Sequence, residues 1–206
     1  MQRTRTLTLS QAVVPERGLI ADVLLVLLGS ATVAVFAQLT IQIEPVPITG
    51  QTFGVLLVGV ALGSKRGSLA LLAYLAEGFA NLPVFQNFNT AWTPNRFGEP
   101  YFTGSSAGFL VGFVLTAFVV GWLAERFAAD RAPWSTVLML LVGNVVIYAP
   151  GLLWLSFWLP AHGAAASVWQ AGVLPFLVGD TLKLLAAAVL VPSAWDLVRA
   201  VRGGRS

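Results

Sequence analysis

Residues 175–183 read PFLVGDTLK and place an acid and a base inside an apolar run from about residue 171 to 191. A run of that length, at roughly 1.5 Å per helical residue, can cross the hydrocarbon core of a bilayer. An unpaired charge at that depth costs roughly 3 kcal/mol or more. Asp180 and Lys183 are three residues apart, so they share one helix face and can pair with each other or with a ligand.

The composition of the whole chain agrees with this membrane interpretation. Hydrophobic residues make up 57% of the 206 residues, whereas charged residues make up only 10%. This balance excludes an ordinary soluble domain and indicates an integral membrane protein. The chain has no cysteine, which excludes disulfides, thiolate catalysis and thiolate metal sites.

The apolar runs predict an all-α membrane protein, a single membrane domain built as a bundle of six transmembrane helices. The predicted spans cover residues 19–39, 48–63, 67–82, 105–127, 134–159 and 171–191. The fourth span contains GFLVG at residues 108–112, a GxxxG pattern that indicates close helix packing. Pro150 and Gly151 predict a kink in the fifth span, which either shapes a cavity or only helps packing.

Basic residues divide unequally between the two sides of this arrangement. One side carries Arg3, Arg5, Arg17, Lys65, Arg66, Arg126, Arg131, Arg199, Arg202 and Arg205. The other side carries Arg96, in the loop between the third and fourth spans. The positive-inside tendency therefore predicts that both termini are cytoplasmic and that the loops with Glu44, Arg96 and His162 face outward. A nucleic-acid partner is not needed to explain these charges.

Residues 83–104 form the only long polar loop and include several aromatic side chains. Loops of this length are usually lids or binding loops, or else disordered. The aromatic residues favour a packed lid or a segment that rests at the membrane interface. We expect residues 83–104, called the lid loop below, to cover the outward side.

Several further residues are candidates for ligand binding. Thr49 and Gln51 lie at the polar start of the second span, where free N–H groups and the helix dipole favour an anion. Tyr74 and Gly78 are one turn apart in the third span, so the ring can lie beside the space left by the missing side chain. Tyr148 is a polar aromatic residue inside the fifth span.

The chain shows none of the sequence patterns that support catalysis. It has no glycine-rich phosphate loop, no histidine or carboxylate cluster with metal-ligand spacing, and no set of serine, histidine and acid. We therefore expect no enzyme activity, no metal site and no cofactor. A chain without its own nucleotide site must take energy from a gradient or a partner if it pumps.

Five segments, taken in this order and spacing, resemble the BioY family, the biotin-binding S components of energy-coupling-factor transporters. They are PVPITGQTFGVLLVGVALGSKRG (45–67), YLAEGFANLPVF (74–85), GSSAGFLVGF (104–113), GNVVIYAPGLLWL (143–155) and PFLVGDTLKLLAA (175–187). The chain departs from the family at residues 104–109, where GSSAGF replaces a run like GPTGGY. That departure concerns the details of the lid.

The resemblance implies a six-helix bundle in the cell (inner) membrane, surrounded by lipid, that binds biotin from outside. Its implied partners are a transmembrane coupling protein and two ATPase subunits, although some relatives are thought to act without them. The site residues implied are Asp180, Lys183, Tyr74 and Gly78, together with Gln51.

The chemistry of biotin suggests how these residues would be used. Asp180 can accept the ureido N–H groups, and Lys183 can donate to the adjacent carbonyl. The valerate carboxylate would then bind at the start of the second span, Thr49 to Thr52, and Tyr74 would cover the bicyclic ring. In a second assignment, Lys183 pairs with the valerate.

Two other functions remain open from the sequence. The chain can be an S component for another vitamin, which keeps the architecture and changes the ligand. It can also be a structural membrane subunit without a ligand, in which case Asp180 and Lys183 form a purely structural ion pair.

Overall fold

The computed structural model describes residues 6–13 and 18–203, and within them almost all regular structure is helical. The helices are α1 (Leu9–Val13), α2 (Leu19–Ala37), α3 (Gln51–Phe79), α4 (Ala107–Phe127), α5 (Pro133–Ala161), α6 (Val168–Gly172) and α7 (Leu177–Gly203). Two short strands, β1 (Thr40–Ile41) and β2 (Ile48–Thr49), pair antiparallel with Thr40 opposite Thr49. Single 3-10 turns cover Gln86–Phe88, Tyr101–Thr103 and Leu174–Phe176.

Five helical stretches of the described chain are long and apolar enough to cross a membrane. They are Leu19–Ala37, Gln51–Phe79, Ala107–Phe127, Pro133–Ala161 and Val168–Val201. The all-α prediction is therefore confirmed, and the second and third predicted spans fall on the parts of α3 before and after Gly63. Four arginines used to predict the orientation, Arg3, Arg5, Arg17 and Arg205, lie outside the described residues, as does the side chain of Arg202.

Helix α3 is broken at Gly63, and its two limbs run back along each other. Gly63 has φ +81° and ψ 179°, a backbone conformation that only glycine adopts readily. The side chains of Gln51 and Tyr74 meet at 2.7 Å, although a straight helix would separate these residues by roughly 34 Å. Glu125 of α4 accepts hydrogen bonds from the backbone N–H and the hydroxyl of Ser64, both at 2.9 Å, so its carboxylate caps the start of the second limb.

Small residues hold the central helices close together. A Cβ atom at Gly108 would clash with the carbonyl oxygen of Pro150, and one at Gly112 would lie 2.7 Å from the carbonyl oxygen of Ile147. The GxxxG pattern of α4 thus packs directly on α5, which confirms the close packing expected from it. Helix α5 continues through Pro150 to Ala161.

Helix α7 starts six residues later than the sixth predicted span. Helix α6 ends at Gly172, and a 3-10 turn through Pro175 precedes Leu177. Proline lacks the N–H that a continuous helix would need at this position. As a result Asp180 lies in the first turn of α7, where the positive end of the helix dipole favours its carboxylate.

Candidate functional site

A central cavity lies between α3, α4, α5 and α7, and the lid loop and the segment before α3 complete its wall. It holds about 520 Å³ of space between the atoms, part of it open to the exterior. Its polar lining residues include Asp180, Lys183, Tyr148, Thr49, Gln51, Thr52, Asn144, Gln86, Tyr101 and Ser106.

Asp180 and Lys183 form one hydrogen-bonded cluster on the cavity wall. The Lys183 ammonium lies 3.1 Å from Oδ1 of Asp180, and the Tyr148 hydroxyl donates to Oδ2 at 2.6 Å. Lys183 also donates to the Thr52 hydroxyl at 2.8 Å. Asp180 is only 8% exposed, so the cluster satisfies charges that would otherwise be costly to bury. The face shared by Asp180 and Lys183, expected from their spacing, is confirmed.

The start of α3 belongs to the same cluster rather than to the opposite end of the cavity. The Thr49 hydroxyl donates to the side-chain oxygen of Gln51 at 2.9 Å and accepts from the Gln51 backbone N–H at 3.2 Å. Thr52, one residue further on, contacts Lys183. The expectation that Thr49 to Thr52 binds the carboxylate while Asp180 and Lys183 bind the ring needs correction. An extended ligand cannot place its two ends at one spot.

Tyr74 and Gly78 lie behind the cavity wall and do not line it. The Tyr74 hydroxyl accepts a hydrogen bond from the Gln51 amide, and its ring packs edge-on against Phe85 at 5.2 Å between centroids. A Cβ atom at Gly78 would clash with the Phe85 ring. Phe85 of the lid loop therefore occupies the space beside Gly78 that was expected to lie open next to the Tyr74 ring.

Three lining residues that were not among the sequence candidates carry polar groups without a protein partner. Asn144 and Gln86 are 8% and 7% exposed, and neither side chain makes a hydrogen bond to the described residues. The buried Tyr101 hydroxyl likewise has no partner there. Buried polar groups are nearly always hydrogen-bonded, so these groups are available to a ligand. Asn144 had a signal in the sequence, because it lies one turn from Tyr148 inside an apolar span.

Apolar side chains complete the wall between these polar groups. Phe109 of α4 packs edge-on against Tyr148 at 6.2 Å between ring centroids. Phe113, Ile147 and Phe176 extend the same surface around the cavity. A site with apolar walls and a few fixed polar groups suits a compact ring system with hydrogen-bonding edges.

The lid loop is packed against the helices at several points. The Gln38 amide donates to the carbonyl oxygen of Phe85 at 3.0 Å, and the Trp154 indole donates to that of Gly104 at 2.9 Å. Arg96 pairs with Glu44, in the segment between α2 and α3, at 3.1 Å. These contacts agree with a packed loop.

A second, more polar cavity of about 860 Å³, part of it open to the exterior, lies between the lid loop and the segment 42–47 and is called the loop cavity below. Both cavities are lined by Pro47, Gln86, Tyr101 and Ser106. Tyr101 stacks on Phe85 at 5.1 Å between centroids, and burial raises the pKa of its phenol. These four shared residues therefore separate the central cavity from the loop cavity.

A metal site has no support in the described part of the chain, where no group of three or more His, Cys, Asp or Glu side chains could hold an ion.

Comparison with known proteins gives a consistent result. The sequence profile of the BioY family matches residues 4–200. The biotin transporter BioY of Thermotoga maritima is 37% identical over 161 residues, which cover 78% of this chain and 88% of the relative. The probable biotin transporter BioY of Pyrococcus horikoshii is 33% identical over 169 residues, covering 82% and 93%.

The fold also matches a solved structure, the S-component for biotin from an ECF-type ABC transporter. The TM-score is 0.71 at 23% sequence identity, and the match covers 86% of this chain and 92% of the other. This likeness shows the shared helical fold.

Proposed function

The chain belongs to the BioY family, and we propose that it takes up biotin as the substrate-binding S component of a membrane transporter. This proposal rests mainly on its relatives, which are named as biotin transporters. The central cavity supports it, because its lining combines apolar side chains with a few polar groups. The relatives are transporters, so the chain is a multi-pass membrane protein and not an enzyme.

The cluster around Asp180 is the best place for the ureido ring of biotin. The carboxylate of Asp180 can accept ureido N–H groups, and the ammonium of Lys183 can donate to the ureido carbonyl. The unpaired Asn144 amide on the same wall can accept from a ureido N–H group or donate to the ureido carbonyl. Biotin's own carboxylate is disfavoured here, because it would lie beside the Asp180 carboxylate.

The valerate carboxylate then points toward the lid loop. Tyr101, Gln86 and Ser106 offer donors at that end of the central cavity, and the Tyr101 hydroxyl has no partner in the described protein. Ser106 also precedes α4, whose N-terminal dipole favours an anion. Comparing the binding of biotin with that of biotinamide, which lacks the carboxylate, shows which end of the cavity binds the carboxylate. Tyr101→Phe should weaken binding of biotin but not of biotinamide.

In this proposal α3 crosses the membrane twice, so the bundle has six spans and both termini face the cytoplasm. The break at Gly63 and the contact between Gln51 and Tyr74 support the double crossing. Lys65 and Arg66 lie two and three residues after the break, so the positive-inside tendency assigns this turn to the cytoplasmic side of the inner membrane. The lid loop then faces outward.

The chain would work with partners that supply energy. Its expected partners are a transmembrane coupling protein and two ATPase subunits, by analogy with the ECF-type transporter to which the structural relative belongs. Biotin is the transported ligand, and no cofactor is assigned to the chain.

Thermal unfolding of the purified protein with biotin, thiamine or riboflavin tests the proposal. A ligand at one hundred times its dissociation constant stabilises a protein by about 2.7 kcal/mol. We expect biotin alone to raise the unfolding temperature. If another vitamin raised the unfolding temperature instead, that vitamin would be the ligand. If none of them raised it, the result would favour a structural subunit.

A further inference from the structure

His162 joins the lid loop to the end of α5. Its Nδ1 lies 2.8 Å from the backbone carbonyl oxygen of Trp158, and its Nε2 lies 3.0 Å from Oε1 of Glu99 in the lid loop. The imidazole ring stacks on the Trp158 indole at 4.0 Å between centroids. Both ring nitrogens therefore have a fixed oxygen partner.

These two partners require a protonated ring. A backbone carbonyl and a carboxylate accept hydrogen bonds but cannot donate them. A neutral imidazole carries only one N–H, so it can satisfy Trp158 or Glu99 but not both. The imidazolium ion satisfies both and also forms an ion pair with Glu99.

The charges around the ring support the protonated form. The Asn95 amide donates to the other oxygen of Glu99 at 3.1 Å, which fixes that carboxylate. Hydrogen bonds from Asn95 and His162 hold the pKa of Glu99 below its usual value. The Trp158 carbonyl and Glu99 raise the pKa of His162, while burial and Arg96 oppose this rise. Arg96 is itself paired with Glu44.

The pH range of the contact follows from these directions. The pKa of His162 is raised in the folded protein, so its contribution is present at low pH and is lost as pH rises through that pKa. The pKa of Glu99 is lowered, so its contribution is lost only as pH falls through a more acidic value. The contact between His162 and Glu99 is therefore strongest in mildly acidic solution.

The contact acts on the same loop that closes the central cavity. Glu99 lies two residues before Tyr101, which separates that cavity from the loop cavity. Release of Glu99 removes one of the contacts that hold this part of the lid loop. We propose that His162 is a positioning residue whose protonation holds the lid loop over bound ligand and slows ligand exchange. This inference rests on the proposed function.

Dissociation of biotin as a function of pH tests the inference. The full chain is purified without a polyhistidine tag and loaded with labelled biotin. An excess of unlabelled biotin is then added, and loss of the label is followed between about pH 5.5 and 8.5, the range in which histidine titrates. We expect dissociation to be roughly two- to fivefold faster at the alkaline end, the effect expected of a partly exposed ion pair. Biotin should dissociate rapidly from the His162→Ala protein at every pH.

Two variants separate this mechanism from a merely structural role. In Glu99→Gln the amide can donate to the bare Nε2 of a neutral ring or accept from a protonated one, so dissociation should remain slow at high pH. In Glu44→Gln the other ion pair of the lid loop is lost, and the pH dependence of the wild-type protein should persist.

The chain contains a single histidine, so its NMR signal directly reports the pKa of His162. We expect the pKa of His162 to lie above the usual value of about 6.5. In the Glu99→Gln protein this pKa should be lower than in the wild-type protein. A dissociation rate that does not change with pH, or an unshifted pKa, would overturn the inference while leaving biotin binding intact. If biotin does not bind at any pH, the proposed function itself fails.

Discussion

Asp180 is the residue on which ligand binding should depend most directly. It lies in the first turn of α7, paired with Lys183 and hydrogen-bonded by Tyr148. In Asp180→Asn a ureido N–H loses a charged acceptor, and biotin affinity should fall by about 1.5–3 kcal/mol. Isothermal titration of the detergent-solubilised protein measures this change.

The same substitution leaves Lys183 without its carboxylate partner, so stability must be measured beside affinity. Loss of one partner of a buried pair can cost about 3–5 kcal/mol of folding free energy. Tyr148→Phe is the matched control, since it removes one hydrogen bond to Asp180 and leaves the ion pair. Wild-type affinity in a folded Asp180→Asn protein would refute the ureido contact and leave the pair a structural one.

Asn144 provides a test in which affinity and stability should separate. Its buried amide faces the central cavity without a protein partner. Asn144→Leu, a change of similar size, should weaken biotin binding by about 0.5–1.5 kcal/mol and leave the unfolding temperature unchanged or higher. Titration with biotin and thermal unfolding give the two values.

Thr116 is the matched control for Asn144. It is fully buried outside the central cavity, and its hydroxyl donates to the carbonyl oxygen of Gly143 at 3.1 Å. Thr116→Val should lower the unfolding temperature without changing biotin affinity. The Asn144 contact would be disproved if both variants lost stability and neither lost affinity.

The turn between the two limbs of α3 depends on Gly63. Its φ is +81°, and a Cβ atom there would clash with the carboxylate of Glu125. Gly63→Ala should therefore lower the free energy of unfolding by more than the roughly 1–3 kcal/mol expected from this backbone conformation alone. Denaturation in detergent measures the difference.

Gly98 is the control because it also has a positive φ but lacks the crowding. Its φ is +78°, and no atom lies within 4 Å of a Cβ built there. Gly98→Ala should lower the free energy of unfolding only by the cost of placing alanine at a positive φ. Equal losses in the two variants would mean that contact with Glu125 does not hold the turn.

The number and direction of membrane crossings can be tested across the whole molecule. The chain has no cysteine, so single cysteines can be labelled without background. With six spans, Gln42→Cys and Leu82→Cys should react with a membrane-impermeant maleimide from outside intact cells. Lys65→Cys should react only after the cells are opened.

Ala166→Cys, in the loop between α5 and α6, is a further outward control. If Lys65→Cys is also labelled in intact cells, the turn at Gly63 does not reach the cytoplasmic side and α3 does not cross twice.

Local patterns in the sequence were enough for the membrane class, the ends of most helices and the shared face of Asp180 and Lys183. Hydrophobic runs, prolines and helical spacing act over a few residues, so they can be interpreted without knowledge of the fold. The sixth predicted span lies inside the apolar stretch Val168–Val201, and within it Pro175 separates α6 from α7 because proline cannot donate a helical hydrogen bond.

Only the tertiary structure decided which of these elements meet. Lys183 contacts Thr52 across 131 positions of sequence, and this contact places the start of α3 beside the ion pair. Phe85 fills the space at Gly78, which removes Tyr74 and Gly78 from the cavity wall. Such contacts depend on how closely whole helices approach and on where the lid loop folds back. No local pattern carries that information, because the same helix faces can pack in several ways until the complete bundle selects one.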